Sequence, residues 1–258
     1  MQKIIIILVV SLLGTSILMA QNEIYGQIEY THTTNFSRSF QRDYSLFFSA
    51  RHSNYIEKNI EKRKEKIDQE FNEIGQQINR DVPRKNLTPQ FFYNNRKDFY
   101  FREIWLDQEL VVKEEPFQWK WNITEETRKI GRFNCQKATI RFRGRDYIAW
   151  FAKDIPVPFG PWKFQGLSGL ILDVYDKDQV LRITASNVNI TNQSEGDVPI
   201  DQSKFAQAMD IEQYLVKKKE LLIEDLARLS ARMPKGYQNL VLDEDCDDCK
   251  EQVEFFNK

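Results

Sequence analysis

One short block constrains the fold of this chain more than any other feature. It runs from Gly160 to Leu172 and reads GPWKFQGLSGLIL. Three of these thirteen residues are glycine, one is proline and two are aromatic. Glycine permits backbone angles and close approaches that other residues forbid, and proline fixes φ at position 161. The block therefore predicts a tightly shaped loop that packs against aromatic rings and leads into a β-strand.

The first twenty residues predict export. Lys3 precedes an almost unbroken apolar run, Ile4 to Met19, and Ala20 is a small residue suited to cleavage. The run is short and close to the start, which favours a cleaved signal peptide over an uncleaved anchor. We expect cleavage after Ala20 and a mature chain in the periplasm, on the outer envelope or outside the cell. No further segment is long and apolar enough to predict a membrane span.

Composition bears on the partners of this chain. It carries 37 basic and 38 acidic residues, a net charge of −1, which gives no electrostatic footprint for nucleic acid. There is no phosphate-binding loop, dinucleotide-binding glycine pattern or calcium loop, so the sequence predicts no cofactor. Aromatic residues make up 13% of the chain, enough for a substantial core.

Alternating apolar and polar residues predict a mainly β domain over residues 21–192. Hairpin-like turns at 143–146 and 176–178 separate strands that are adjacent in the sequence. Many short strands joined by polar turns favour an antiparallel sheet that is curved or partly closed. The predicted strands lie at 23–34, 44–55, 99–104, 109–113, 117–121, 135–142, 147–151, 170–175 and 180–189.

Helical additions are predicted at two places. Between about residues 55 and 80, apolar residues recur at spacings of three, four and seven among charged ones, which indicates an inserted amphipathic helix. Residues 193–258 form a C-terminal extension, with helices over 203–233 that begin at Ser203 and stop before Pro234. The apolar positions of the inserted helix are Ile56, Ile60, Ile67, Phe71, Ile74 and Ile78.

Short motifs follow one another in a characteristic order. They read WNITEET at 121–127, CQKAT at 135–139, FRGR at 142–145, WF at 150–151, DIP at 154–156, GPWKF at 160–164 and GLSGLIL at 166–172. This order resembles that of the GLPGLI family of exported proteins from Gram-negative bacteria. The signature spans Gly166, Leu167, Ser168, Gly169, Leu170 and Ile171. Ser168 stands where the family has proline, so the turn at this position is looser.

The resemblance implies a fold and a setting, but no activity. Members look like β-rich envelope or secreted proteins, and a curved sheet similar to that of periplasmic lipoprotein carriers is expected. They are often encoded near TonB-dependent outer-membrane receptors. The resemblance therefore implies an outer-membrane receptor system as one class of partner.

The aromatic and basic residues around the signature are candidates for a binding groove. Five aromatic side chains either pack in the core or line a groove for an apolar or peptide-like ligand. Arg143 and Arg145 flank a turn, where they could clamp a carboxylate or pair within the molecule. The five aromatic residues are Trp150, Phe151, Phe159, Trp162 and Phe164.

Catalysis is the least favoured interpretation. Ser168 lies in a Gly-Leu-Ser-Gly string, but a nucleophile elbow requires a strand before the serine and a helix after it. Here a strand is predicted to follow. The two histidines, His32 and His52, both lie in the N-terminal strand region, and alternation places His32 on a potentially buried face.

Three cysteines leave several alternatives open. Cys246 and Cys249 form a C-x-x-C pair in an acidic run, with Asp245 and Asp247 beside them, and Cys135 lies far away in the sequence. The pair could form a local disulfide, act in thiol redox chemistry or bind a metal ion with the nearby carboxylates. Cys135 could stay buried and free, or pair with a tail cysteine.

Three functions follow from these patterns. The favoured one is a non-enzymatic envelope protein that binds an apolar or peptide-like partner or serves an outer-membrane receptor system. The alternative is a metal-binding or thiol-redox protein that acts through Cys246 and Cys249. A hydrolase ranks third, because it would need a cleft that gathers His32 or His52 with carboxylates.

Overall fold

The computed structural model describes residues 24–36, 39–60, 65–71, 77–83, 88–105, 108–191, 202–233 and 253–254. For 65–71 and 77–83 it describes the backbone alone. The predicted signal peptide at 1–20 lies outside the described residues, as does the C-x-x-C pair.

An eleven-stranded antiparallel sheet forms the body of the protein. Its order across the sheet is β8-β7-β6-β3-β2-β1-β13-β12-β11-β10-β9, so β8 and β9 are the two edges and the sheet is open. The predicted mainly β, antiparallel fold is confirmed. The sheet strands are β1 Tyr25–Asn35, β2 Ser39–Phe48, β3 Ser53–Glu57, β6 Phe91–Asn94, β7 Phe99–Trp105, β8 Gln108–Glu114, β9 Asn122–Ile130, β10 Phe133–Phe142, β11 Arg145–Ala152, β12 Leu170–Asp176 and β13 Leu181–Thr191.

The two faces of the sheet can be told apart by its register. Side chains alternate between the faces along a strand, so residues paired across strands share a face. Ile28, Leu46 and Tyr55 are in register across β1, β2 and β3, and all three are fully buried. Residues 153–169, which join β11 to β12, pack on this same face. We call residues 153–169 the signature loop. The face of the sheet that this loop covers is called the loop face, and the opposite face is called the outer face.

The predicted inserted helix is wrong. Strand β4 spans Glu65–Phe71 and strand β5 spans Gln77–Pro83, and the two form a separate antiparallel hairpin. Residues 55–57, where the helix was expected to begin, belong to β3. The physical reason is that a spacing of four residues is common to both periods: it brings residues onto one face of a helix and onto one face of a strand. Ile67 and Phe71, like Ile78 and Val82, have this spacing.

The C-terminal helical prediction is confirmed, with a different start. A 3-10 helix spans Gln202–Gln207, and helix α1 spans Ile211–Arg232. Asp210 rather than Ser203 caps α1: its carboxylate accepts a hydrogen bond from the Gln213 amide, and the Gln213 side chain accepts one from the Asp210 amide. Within the described residues, no helix combines the length and the apolar composition that crossing a bilayer requires.

This C-terminal segment wraps around one edge of the sheet. Phe205 of the 3-10 helix stacks on Tyr100 of the outer face, with ring centroids 4.2 Å apart. Met209 then pairs with edge strand β8, and its carbonyl accepts a hydrogen bond of 2.8 Å from the Lys113 amide. Helix α1 packs on the loop face, where Tyr214 meets Phe101 edge to face. The segment thus satisfies backbone groups on an edge that would otherwise be open to pairing with another chain.

Candidate functional site

Hydrogen bonds within the signature loop and to strand β12 fix its shape. The Gly166 amide donates to the Pro158 carbonyl at 2.8 Å, and the Ile171 amide donates to the Phe159 carbonyl at 3.2 Å. Apolar side chains of the loop are almost completely buried. They are Ile155, Val157, Phe159, Trp162, Phe164 and Leu167. The block therefore forms a fixed part of the core, as its density of glycine and aromatic residues predicts.

Gly166 shows why the signature needs glycine. Its φ of +88° lies in the region that side chains rarely adopt. A Cβ atom there would also lie 2.8 Å from the Cβ of Trp119. The indole NH of the neighbouring Trp121 donates to the Gln165 carbonyl at 2.8 Å. The turn is thus fitted against two tryptophans.

The predicted groove aromatics occupy different places in the sheet. Phe151, Phe159, Trp162 and Phe164 are buried in the core of the loop face, and Phe164 meets Tyr147 edge to face at 4.8 Å. Their burial favours packing over an open groove. Trp150 lies on the outer face instead, because it is adjacent in the chain to Ala149 of the loop face.

Trp150 is part of a charged cluster on the outer face. The Arg128 guanidinium stacks over its ring at 4.2 Å and also pairs with Asp173. The almost fully buried Asp173 accepts further hydrogen bonds from Thr184 at 2.7 Å and from Arg182 at 3.2 Å. This cluster ties β9 to β12 and β13.

A second charged cluster lies where the signature loop meets β8. Lys163 is only 4% exposed, yet its Nζ lies 2.7 Å from Glu114 Oε2 and 2.9 Å from Glu254 Oε1. Arg143, in the turn between β10 and β11, contacts the same two carboxylates, at 2.6 Å to Glu114 and 3.8 Å to Glu254. We call Glu114, Arg143, Lys163 and Glu254 the carboxylate cluster.

Aromatic rings around Lys163 make the surroundings of the carboxylate cluster apolar. The ammonium lies 4.4 Å from the centre of the Phe101 ring and 5.7 Å from that of Trp162. Such faces attract cations and exclude water, which strengthens electrostatic attraction to a nearby carboxylate. The arrangement can therefore hold a carboxylate in a site of low polarity.

The two carboxylates titrate in opposite directions. Lys163 and Arg143 outweigh the effect of burial at Glu114 and lower its pKa. At Glu254, burial dominates and the neighbouring Glu114 adds to it, so the pKa of Glu254 is raised despite the same two cations. The pKa of Lys163 is raised, because the attraction of Glu254 and Glu114 exceeds the effect of burial.

Glu254 reaches the cluster from the C-terminal segment of the chain. Val253 packs against the main core, and its carbonyl accepts a hydrogen bond of 3.5 Å from the Tyr147 hydroxyl. A two-residue peptide is thus held on the loop face by one apolar contact and one carboxylate. Lys163, Glu114 and Glu254 are not among the site residues that the sequence predicts. The signal available was a single lysine inside an otherwise apolar and aromatic block.

Arg145 belongs to a different set of contacts from Arg143. It is buried and pairs with Asp176 at 3.3 Å and with Asp178 at 3.6 Å. Asp176 also accepts a hydrogen bond of 2.6 Å from the Leu181 amide. Arg145 therefore braces the turn between β12 and β13, whereas Arg143 joins the carboxylate cluster.

The candidate catalytic residues lie in separate surroundings. Ser168 is exposed and a strand follows it. The ring of His32 packs against Tyr44 at 5.4 Å, while His52 is hydrogen-bonded to Ser49 at 3.1 Å. Neither histidine has a hydrogen bond to Ser168 within the described residues.

Cys135 is a buried free thiol, and burial raises its pKa to about 11. Cys246, Cys249, Asp245 and Asp247 lie outside the described residues, so the predicted metal or redox site remains a prediction. In the part of the chain that is described, no group of three or more acidic, histidine or cysteine side chains is placed to hold a metal ion.

Together these features define a class of protein: an open antiparallel sheet with a glycine-rich signature loop packed into one face. Residues 143–173 match the family described as "Protein of unknown function (Porph_ging)", which is the GLPGLI family. The match covers Arg143, Lys163 and the whole signature, and it confirms the resemblance seen in the sequence. No curated protein matches the chain.

Solved structures share the β fold. PNGF-II in a P21 crystal form is similar with a TM-score of 0.50 and 18% identity, over 76% of this chain and 34% of PNGF-II. A C2 form of PNGF-II gives 0.48 and 18%, over 78% and 33%. An uncharacterised conserved protein from Thermus thermophilus gives 0.36 and 11%, over 72% and 90%. This chain therefore corresponds to about a third of PNGF-II, and the likeness concerns the fold alone.

Proposed function

We propose that this chain is a non-enzymatic, exported binding protein of the cell envelope that holds a peptide-like partner on the loop face. Arg143 and Lys163 bind a carboxylate of the partner, and the core beside Tyr147 accepts an apolar side chain next to it. The signal peptide predicted at residues 1–20 supports the cell envelope as the location.

One observation carries the proposal: the loop face already holds a peptide. Val253 and Glu254 lie there as an apolar residue followed by an acidic one, and they use the two contacts just described. Peptide recognition commonly joins a pocket for a side chain to a charged group that fixes the register.

The charges in the site support a ligand that is an anion. Burying an ammonium is costly unless a carboxylate pairs with it, and Glu114 supplies one negative charge against the positive charges of Lys163 and Arg143. Glu254 supplies a second carboxylate to the same two cations. A ligand carboxylate at the Glu254 position would do the same.

A peptide array tests the proposal. Purified mature protein, residues 21–258, is applied to short immobilised peptides in which an apolar residue precedes Glu, Asp, Gln or Lys. Because Glu254 occupies the site in this structure, the array is also probed with the Glu254→Gln protein. We expect binding to the acidic peptides and loss of binding in Arg143→Gln and Lys163→Met. Lys113→Ala is the matched control, since Lys113 is next to Glu114 on β8 but pairs with Asp98.

The result can contradict the proposal in two ways. Absence of binding by both the unmodified protein and Glu254→Gln would overturn it. So would binding that Arg143→Gln leaves unchanged in a folded protein. Arg143 is the more informative substitution, because its side chain is partly exposed and its removal disturbs the core less than that of Lys163.

A further inference from the structure

We infer that Val253 and Glu254 form a built-in competitor, which occupies the partner's site and must leave before the partner binds. The inference rests on the proposed function and adds the regulation of the same site. It also assigns the partner's chemistry, because the tail and the partner use the same contacts: an apolar residue followed by a carboxylate.

The contacts of the two carboxylates show which one is exchangeable. Glu114 belongs to strand β8 and uses both oxygens, one for Arg143 at 2.6 Å and one for Lys163 at 2.7 Å. Glu254 uses one oxygen, Oε1, for Lys163 at 2.9 Å and for Arg143 at the longer distance of 3.8 Å. Glu114 is therefore the resident partner of the two cations, and Glu254 is the more weakly held one.

The rest of the tail contact is also modest. The hydrogen bond from the Tyr147 hydroxyl to the Val253 carbonyl is 3.5 Å long, which is at the weak end of the range. Val253 is only partly buried against the core. Within the described residues, Val253 and Glu254 are fixed by the ion pairs of Glu254 with Lys163 and Arg143, one long hydrogen bond and one apolar contact, and contacts of this kind can be broken without unfolding the sheet.

Titration supports the same order. Burial keeps the pKa of Glu254 raised, so the two cations do not fully compensate the loss of water around its charge. The pKa of Glu114 is lowered, so there the compensation is complete. Docking of Glu254 therefore has a desolvation cost that the two cations do not fully offset, whereas at Glu114 they do.

Tethering explains how a weakly held tail can still block the site. A segment that belongs to the same chain as its site competes at an effective concentration that does not depend on the protein concentration. If the tail occupies the site nine-tenths of the time, the apparent affinity for a free peptide falls about tenfold. A mutation that displaces the tail should therefore raise the apparent affinity for a free peptide about tenfold.

The test uses the full mature chain and a probe of known sequence. The probe is a fluorescent peptide with the sequence of residues 250–258, KEQVEFFNK, which contains no cysteine. Its binding is measured by fluorescence anisotropy to the unmodified protein and to Glu254→Lys, in which the tail is repelled by Arg143 and Lys163. We expect the probe to bind Glu254→Lys about tenfold more tightly or better. A second probe, in which Gln replaces the Glu at position 254, should not show this higher affinity for Glu254→Lys.

Glu220→Lys is the control for net charge, because it makes the same change on the exposed surface of helix α1. We expect its affinity for the probe to match that of the unmodified protein. Equal affinity of Glu254→Lys and the unmodified protein, or an equal gain in Glu220→Lys, would overturn the inference.

The outcomes separate this inference from the proposed function. The array peptides could bind the unmodified protein and Glu254→Gln equally, while the probe shows no higher affinity for Glu254→Lys. These results together would support the binding function and contradict the competing tail. Absence of binding in both assays would remove the binding function as well. A gain confined to Glu254→Lys and to the acidic probe would support both.

Discussion

Gly169 lies directly against the backbone of Ala152. A Cβ atom at position 169 would be 2.7 Å from the Ala152 carbonyl carbon and closer still to its oxygen. Ala152 ends β11, and Leu170, the first residue of β12, pairs with it. The two ends of the signature loop therefore meet at a contact that only glycine can make.

We expect Gly169→Ala to destabilise the protein by roughly 3 kcal/mol, because rigid backbone must move to admit the methyl group. Gly131→Ala is the control: Gly131 has a positive φ, of +57°, but a Cβ there would have no atom within 4 Å. Its cost should be about 1 kcal/mol from backbone strain alone. Urea unfolding of both variants measures the difference, and equal costs would contradict the assigned contact.

Restoring the family's proline should not disturb the loop. Ser168 is exposed, and within the described residues its amide donates no hydrogen bond. We expect Ser168→Pro to stabilise the protein by about 0.4–1 kcal/mol, because proline lowers the entropy of the unfolded chain. Thermal and urea unfolding check this expectation. A loss of stability would show that the backbone at 168 does not fit proline.

The sequence predicts most of the sheet because strand signals are local, but the strand predicted at 117–121 is wrong, and β6 and β9 are not among the predicted strands. Alternation and turn residues identify the hairpin from β10 to β11, with Gly144 at a φ of +81° in its turn. Alternation and turn residues do not identify the hairpin of β4 and β5. Its apolar residues are four apart, and that spacing fits a helix as well as a strand.

The carboxylate cluster could not be predicted because its members are distant in the chain. Glu114, Lys163 and Glu254 come from β8, the signature loop and the C-terminal segment, and only the sheet order brings them together. The place of Arg143 at a turn makes it a candidate either for clamping a carboxylate or for pairing within the molecule, but does not predict its partners. The position of Trp150 could not be predicted either. It lies on the opposite face of the sheet from Phe159 and Trp162, and this follows from the register of β11.

Lys163 and Glu114 should be energetically coupled. Lys163→Met removes one of the two cations that pair with the buried Glu114 carboxylate, and we expect a loss of roughly 3 kcal/mol. Adding Glu114→Gln should cost less than the sum of the single changes, with a coupling of about 1 kcal/mol or more. Urea unfolding of the four proteins gives this coupling. The control cycle, Lys113→Ala with Asp98→Ala on the surface, should show a smaller one, and equal couplings would contradict the assigned burial.

Cys135 should react slowly with thiol reagents. Burial holds its pKa at about 11, so about one thiol in a thousand is ionised at about pH 8. The test uses Cys246→Ser with Cys249→Ser, which leaves Cys135 as the remaining thiol, and follows its reaction with a disulfide reagent. We expect slow labelling in the folded protein and rapid labelling in urea. Rapid labelling of the folded protein would contradict the burial of this thiol.

His32 should make the protein less stable as the pH falls. Burial, with Arg42 adding to it, lowers the pKa of His32 to about 3, against about 6.5 in the unfolded chain. Between these values the unfolded chain binds a proton that the folded protein does not. The stabilising contribution of neutral His32 is therefore present above about pH 6.5 and is lost as the pH falls, by up to about 1.4 kcal/mol per pH unit.

His32→Gln should remove this dependence, and His52→Gln, which changes the other histidine, should retain it. The measurement is the free energy of unfolding in urea between about pH 7 and pH 5, where most carboxylates remain ionised. If His32→Gln keeps the full slope, then the ring of His32 is open to protonation in the folded protein. The tilted packing of its ring against Tyr44 and Tyr55 is what shields it, so Tyr44→Ala should reduce the slope while leaving His32 in place.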